Sequence, residues 1–209
     1  MEDFKAAIIA GDKELASKLV DGLLEDGKDP QSIIALGITP AMNVVGERYD
    51  RQDFFLPDML AAADAAQSVL DVVEPQLREG DSEESISVVL ATVSGDQHDI
   101  GKNIVYMVFR AEGFQVTDLG TDVNEQDIVE AAQEVGADVV ALSALLTTTV
   151  DEFAVVTEAF EAAGIRDDVL IVVGGAPVTE SVATEKGADL YGETPFSAVR
   201  QIREALQIA

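Results

Sequence analysis

The sequence predicts an α/β protein, a small four-helix bundle followed by a doubly wound, five-stranded parallel sheet. Three observations carry this: apolar residues recur at helical spacing over residues 1–80, short apolar runs alternate with amphipathic helical patterns over 86–209, and a polar stretch separates the two. Phe4, Ala7 and Ile8 open a first short helix, which Gly11 ends; Asp12 caps a second whose apolar set is Leu15, Leu19 and Leu23. Gly27 and Pro30 break the chain, and a third helix runs from Pro30 through Ile33, Ile34, Leu36, Met42 and Val45 to Tyr49. The fourth and longest runs from Leu56 to about Leu77, with Pro57 in its first turn. Such helices with short links predict a bundle.

The acidic, glycine-containing stretch 79–85 has the composition of a linker. It divides the chain into a helical domain, 1–80, a link, 81–85, and an α/β domain, 86–209. Beyond it the apolar runs 86–93, 114–119, 138–142, 169–173 and 189–191 read as strands, and the patterns 100–111, 125–135, 150–163, 179–186 and 195–205 as helices. This βαβ signature fits a flavodoxin-like (Rossmann-like) domain with strand order 2-1-3-4-5. Strands one and three are neighbours in that order, so the loops after Val93 and Leu142 should flank the crevice where ligands bind.

Composition excludes several functions. The 209 residues, 47% hydrophobic and 25% charged, can bury a core, so disorder and fibrous repeats are ruled out. Forty acidic against thirteen basic residues give a net charge of −27, which repels nucleic acid and anionic lipid. The acidity reads mainly as a solvated helical surface, with a high-salt cytoplasm or the steering of basic partners as alternatives. Without cysteine there is no disulfide framework, thiolate metal site or thiol nucleophile. The opening Met-Glu-Asp-Phe-Lys lacks the features of a signal peptide, and no apolar run approaches the ~18 residues of a membrane span. The chain reads as soluble and cytoplasmic, with no membrane partner.

The loop after strand one, Ser94-Gly95-Asp96-Gln97-His98-Asp99-Ile100-Gly101, holds the only histidine. An imidazole there suits a borderline metal, and a carboxylate two residues away can take its other ring N–H, fixing the tautomer. One histidine without cysteines cannot make a four-ligand zinc site, so a metal here must arrive already ligated.

Asp96-Gln97-His98-Asp99-Ile100-Gly101 matches the DxHxxG motif of cobalamin-binding proteins, Ser143-Ala144-Leu145 the accompanying SxL, and Gly174-Gly175 the GG that follows. The chain thus resembles the cobalamin-binding region of methionine synthase and the corrinoid proteins of three-component methyltransferase systems. The resemblance implies that His98 replaces the cofactor's dimethylbenzimidazole as lower axial cobalt ligand, with the freed nucleotide tail in a slot beside the sheet. Gly95 and Gly101 would allow close approach, Gly174 and Gly175 would leave room for the tail, and Ser143, Thr147 and Thr149 could bond to ligand groups. Thr149 matches the hydroxyl that completes an Asp-His-hydroxyl relay in the methionine synthase branch. The plain alternative is that Gly174-Gly175 forms a tight turn and the threonines cap the next helix.

The helical half strengthens the likeness. Residues 37–49, Gly-Ile-Thr-Pro-Ala-Met-Asn-Val-Val-Gly-Glu-Arg-Tyr, and 53–63, Asp-Phe-Phe-Leu-Pro-Asp-Met-Leu-Ala-Ala-Ala, are similar to the cap of methyl-carrying corrinoid proteins, with Ala41 where that family shows glycine. Phe54, Phe55, Leu56 and Met59 are candidates for an apolar lid over the cofactor, Phe55 and Leu56 foremost. The resemblance implies a methyl carrier, cycling between cobalt(I) and methylcobalamin forms, that serves a substrate-specific methyltransferase, a second methyltransferase using tetrahydrofolate or coenzyme M, and a reductive activase. It would not turn over alone, and the stretch 79–85 would act as a hinge. The alternatives are the cobalamin subunit of an adenosylcobalamin-dependent mutase, a cobalamin-sensing module, and a flavodoxin- or receiver-like domain with no corrin.

Overall fold

The computed structural model describes residues 1–77 and 86–208. The chain forms two compact units, Met1–Ser85 together with Met107–Gly113, and Ile86–Tyr106 together with Phe114–Ala209. The predicted link and hinge, 79–85, lies outside the described residues.

The helical unit contains α1 (Glu2–Ile9), α2 (Lys13–Glu25), α3 (Pro30–Ile33), α4 (Thr39–Asp50) and α5 (Leu56–Val73). Asp12 caps α2 by accepting from the Leu15 N–H at 3.0 Å. Gly11 before it is doubly constrained: its φ is +68°, and a Cβ would stand 2.6 Å from the Cβ of Ala61. Asp29 caps α3 through the Ser32 N–H, with Pro30 in the first turn.

Three expectations need correction. The third predicted helix is helical throughout, but Ile34–Ile38 form a π-helical turn between α3 and α4. There Gly37 lies against the buried Phe4, whose ring would be 2.6 Å from an added Cβ. On α2 the buried residues are Ala16 and Val20, one position beyond the predicted set, while Leu15 is exposed and Leu19 and Leu23 half-buried. Lys13–Asp64 and Ser17–Ser68 contacts fix this rotation by laying α2 along α5. Helix α5 ends at Val73, not near Leu77, and Glu74–Gln76 form a 3-10 turn at Pro75, which has no N–H to continue the α-helix.

From residue 86 onward the chain alternates β1 (Ser87–Thr92), α6 (Ile100–Ala111), β2 (Gln115–Asp118), α7 (Glu125–Val135), β3 (Val139–Ser143), α8 (Glu152–Ala163), β4 (Leu170–Gly174), α9 (Glu180–Glu185), β5 (Leu190–Tyr191) and α10 (Pro195–Leu206). All neighbours pair in parallel, in the predicted order β2-β1-β3-β4-β5. Val89, Ala91, Val140, Leu142, Ile171 and Val173 from the central strands join Phe153 and Phe160 of α8 in one core. The register sets Thr92 beside Ser143 and Ser143 beside Gly174, one row at the carboxyl ends of β1, β3 and β4. The three motif-bearing loops leave the sheet from that row. No helix among the described residues is long and apolar enough to cross a membrane.

Candidate corrinoid site

The loop after β1 turns at Gly95, φ +77°, and drops the Asp96 side chain into full burial. The charge is not stranded there. Asp96 Oδ1 accepts from the His98 N–H at 3.0 Å and lies 2.6 Å from His98 Nδ1. Oδ2 accepts from the Leu145 N–H at 2.7 Å, the Leu146 N–H at 3.2 Å and the Thr149 hydroxyl at 2.9 Å. Burial pushes the carboxyl's pKa up, but the backbone donors of Leu145 and His98, the His98 ring and the Thr149 hydroxyl together outweigh it and hold Asp96 well below the ordinary carboxylate range.

An ionised carboxylate only accepts, so the ring proton of neutral His98 sits on Nδ1 and the Nε2 lone pair is left over. His98 is half-exposed, and its Nε2 makes no hydrogen bond among the described residues. This is the donor a metal ligand needs: orientation and tautomer set from behind, a free nitrogen in front. Among the described residues no group of three or more His, Cys, Asp or Glu side chains could hold a metal ion. The donor set therefore fits a metal whose other positions are already filled, as in a macrocycle.

The surroundings fit a broad ligand as well. Ile100 is 75% exposed, and Leu145 and Leu146 are 41% exposed each, apolar side chains left to water beside the His98 loop. Gly101, in the first turn of α6, has nothing within 4 Å of an added Cβ. Gln97, Asp99 and Thr147 are exposed on the same loops, and Ser143 is half-buried at the end of β3.

Two expectations change. Gly175 is required by the protein itself: its φ is +139°, and a Cβ would fall 1.9 Å from the Ala144 carbonyl oxygen, where β4 ends against the loop after β3. Gly174 is also close-packed, 3.0 Å from the Gly192 carbonyl oxygen at the Cβ position. The tight-turn alternative thus accounts for the close packing of these glycines. In the helical unit, Phe55 and Leu56 are exposed at the start of α5, 66% and 43%. Met59, by contrast, is buried in the bundle, and Phe54 is half-buried with Arg48 over its ring.

Sequence reasoning missed a second set of contacts. Buried Thr92 donates its hydroxyl to the His98 carbonyl at 3.0 Å. Lys102, only 2% exposed, pairs with Asp118 at the end of β2 and donates to Asn103 Oδ1. Asp122 accepts from the Gly95 N–H at 2.7 Å and donates its own N–H to the Asp96 carbonyl at 2.9 Å. A lysine directly after the glycine of an otherwise apolar helix face was the one visible signal.

Comparison with known proteins agrees with this geometry. Residues 86–200 match a B12 binding domain family, and residues 1–74 match a second family also described as a B12 binding domain. Trimethylamine corrinoid protein 1 of Methanosarcina acetivorans is 42% identical, covering 97% of this chain and 94% of that protein. The crystal structure of a cobalamin-binding protein from Desulfitobacterium hafniense superposes with a TM-score of 0.80 at 33% identity, covering 97% of this chain and 96% of that one. A chain of the methanol:cobalamin methyltransferase complex of Methanosarcina barkeri gives a TM-score of 0.81 at 30% identity, covering 95% of this chain and 78% of that one. With both halves matched and a relative so similar over nearly its whole length, the chain belongs to the B12-binding family, as a corrinoid protein.

Proposed function

We propose that this chain is the methyl-carrying corrinoid component of a multi-protein methyltransferase system. It would take a methyl group from a substrate-specific methyltransferase and present it to a second one that uses tetrahydrofolate or coenzyme M. When bound, the corrinoid supplies the cobalt that accepts and releases the methyl group. The protein's part is to hold and shield. His98, braced at Nδ1 by Asp96, would hold the metal through its free Nε2, and the Asp96–His98 pair is the observation that carries the reading. Gly95, Gln97, Asp99, Ile100, Gly101, Ser143, Leu145, Thr147, Gly174 and Gly175 would line the cofactor's lower side and tail. Residues 1–80 would act as the cap, with Phe55 and Leu56 as its apolar lid.

The name of the Methanosarcina acetivorans relative supports a methylated amine as methyl source, and the complex that contains the second structural neighbour supports a methyltransferase as partner. The test is to load the protein with a corrinoid, reduce it with a low-potential reductant in place of its activase, and incubate it with trimethylamine and a trimethylamine-specific methyltransferase. Light should then release a methyl group from the reisolated protein. Release of a deoxyadenosyl group after loading from cells would instead favour the mutase reading, and no methyl uptake from any methylated amine would contradict the proposed donor class.

A further inference from the structure

We infer that Asp122 is a positioning residue for His98, acting through the Gly95–Asp96 backbone. The inference rests on the corrinoid reading only for its consequence, since the contacts lie within the protein.

The β2–α7 loop meets the His98 loop at Asp122, which bonds in both directions: its Oδ1 accepts from the Gly95 N–H at 2.7 Å and its N–H donates to the Asp96 carbonyl at 2.9 Å. One bond holds the Ser94–Gly95 peptide group and the other the Asp96–Gln97 peptide group, bracketing the residue that orients the imidazole. Asp122 holds φ +55°, a left-handed conformation that aspartate tolerates at a cost and that persists where surrounding contacts impose it. Its own loop is anchored in turn. The Gly120 N–H donates to Asp118 Oδ1 at 2.9 Å, the Thr92 N–H donates to the Gly120 carbonyl at 3.0 Å, and the other Asp118 oxygen takes the buried Lys102. Five donor contacts fix the Asp96 carboxylate, but they fix only its head. Without the Asp122 carboxylate the Gly95 N–H loses the acceptor that holds the main chain beneath Oδ1.

Because His98 is the only histidine, its ring signals in a proton–nitrogen NMR spectrum of the full-length apoprotein are unambiguous. The wild type should show one tautomer with the Nδ1 proton protected from exchange. Asp122→Gly removes the carboxylate while accepting the left-handed backbone without strain, so it tests the side chain and spares the fold. It should lose the protected Nδ1 proton to solvent exchange and mix the tautomers. Asp122→Asn, which keeps an acceptor at Oδ1, should restore both. Titrated with hydroxocobalamin, Asp122→Gly should bind about tenfold more weakly, the usual order for a support behind a metal-ligating histidine. A folded Asp122→Gly whose Nδ1 proton and tautomer match the wild type overturns the inference. A wild-type protein that refuses hydroxocobalamin overturns the corrinoid reading, and the apoprotein comparison still decides the role of Asp122.

Discussion

Thr149 donates its hydroxyl to Asp96 Oδ2 at 2.9 Å across 53 positions of sequence. The bond is short-range in space because β1 and β3 are neighbours, so the loops that follow them emerge side by side. It ties the residue behind His98 to the far end of the β3–α8 loop, where Thr149 also reaches the Leu146 carbonyl. The relay Thr149–Asp96–His98 is thus a consequence of strand order.

Thr149→Val keeps the side chain's shape and removes the donor. Asp96 Oδ2 retains the Leu145 and Leu146 N–H groups, so the loss should be about 1.5–3 kcal/mol, the range of a hydrogen bond to a charged group. Thermal denaturation of the apoprotein should fall by several degrees, and Thr149→Ser should recover most of it.

Asp96 makes stability depend on pH with a definite sign. Its carboxyl is held below the ordinary range in the folded state, so its contribution is full above the unfolded value of about 3.9 and is lost as the pH falls below that toward the native value. The difference in unfolding free energy between wild type and Asp96→Asn should be about 2 kcal/mol or more near neutral pH and should shrink on acidification below about pH 4. A difference that grows on acidification below about pH 4 would contradict the assignment. Comparison with the variant is essential, because the protein carries 40 acidic residues that also titrate.

Two glycines should behave oppositely. Gly175→Ala forces a Cβ onto the Ala144 carbonyl in a left-handed backbone and should cost more than about 3 kcal/mol or prevent folding. Gly101→Ala enters open space in a helix and should leave apoprotein stability unchanged or raised by up to about 1 kcal/mol. If Gly101 lies under the cofactor, the same change should weaken hydroxocobalamin binding, which titration of the folded variant reads directly.

Much of this was legible because parallel strands buried on both faces write themselves as apolar runs, and the five strands lie within about a residue or two of where those runs end. The Asp96–His98 pair was legible for a local reason, two residues apart in one loop. The rotation of α2 was not: Leu15, Leu19 and Leu23 outrank Ala16 and Val20 in hydrophobicity, yet close approach to α5 favours the smaller side chains. Nor was the π turn at Ile34–Ile38, where Gly37 gives way to Phe4 from a different helix. Asp122 was hidden because its partners lie 27 and 26 positions away and meet it only when β1 and β2 pair.

The most direct measurement is electron paramagnetic resonance of the cobalt(II) form of the reconstituted protein, prepared with and without nitrogen-15 in its histidine. His98 as lower ligand predicts that the nitrogen splitting of the cobalt lines changes from triplet to doublet on labelling and disappears in its imidazole form in His98→Ala. A splitting indifferent to the label would mean that the cofactor keeps its own base, and His98 would have no place at the metal.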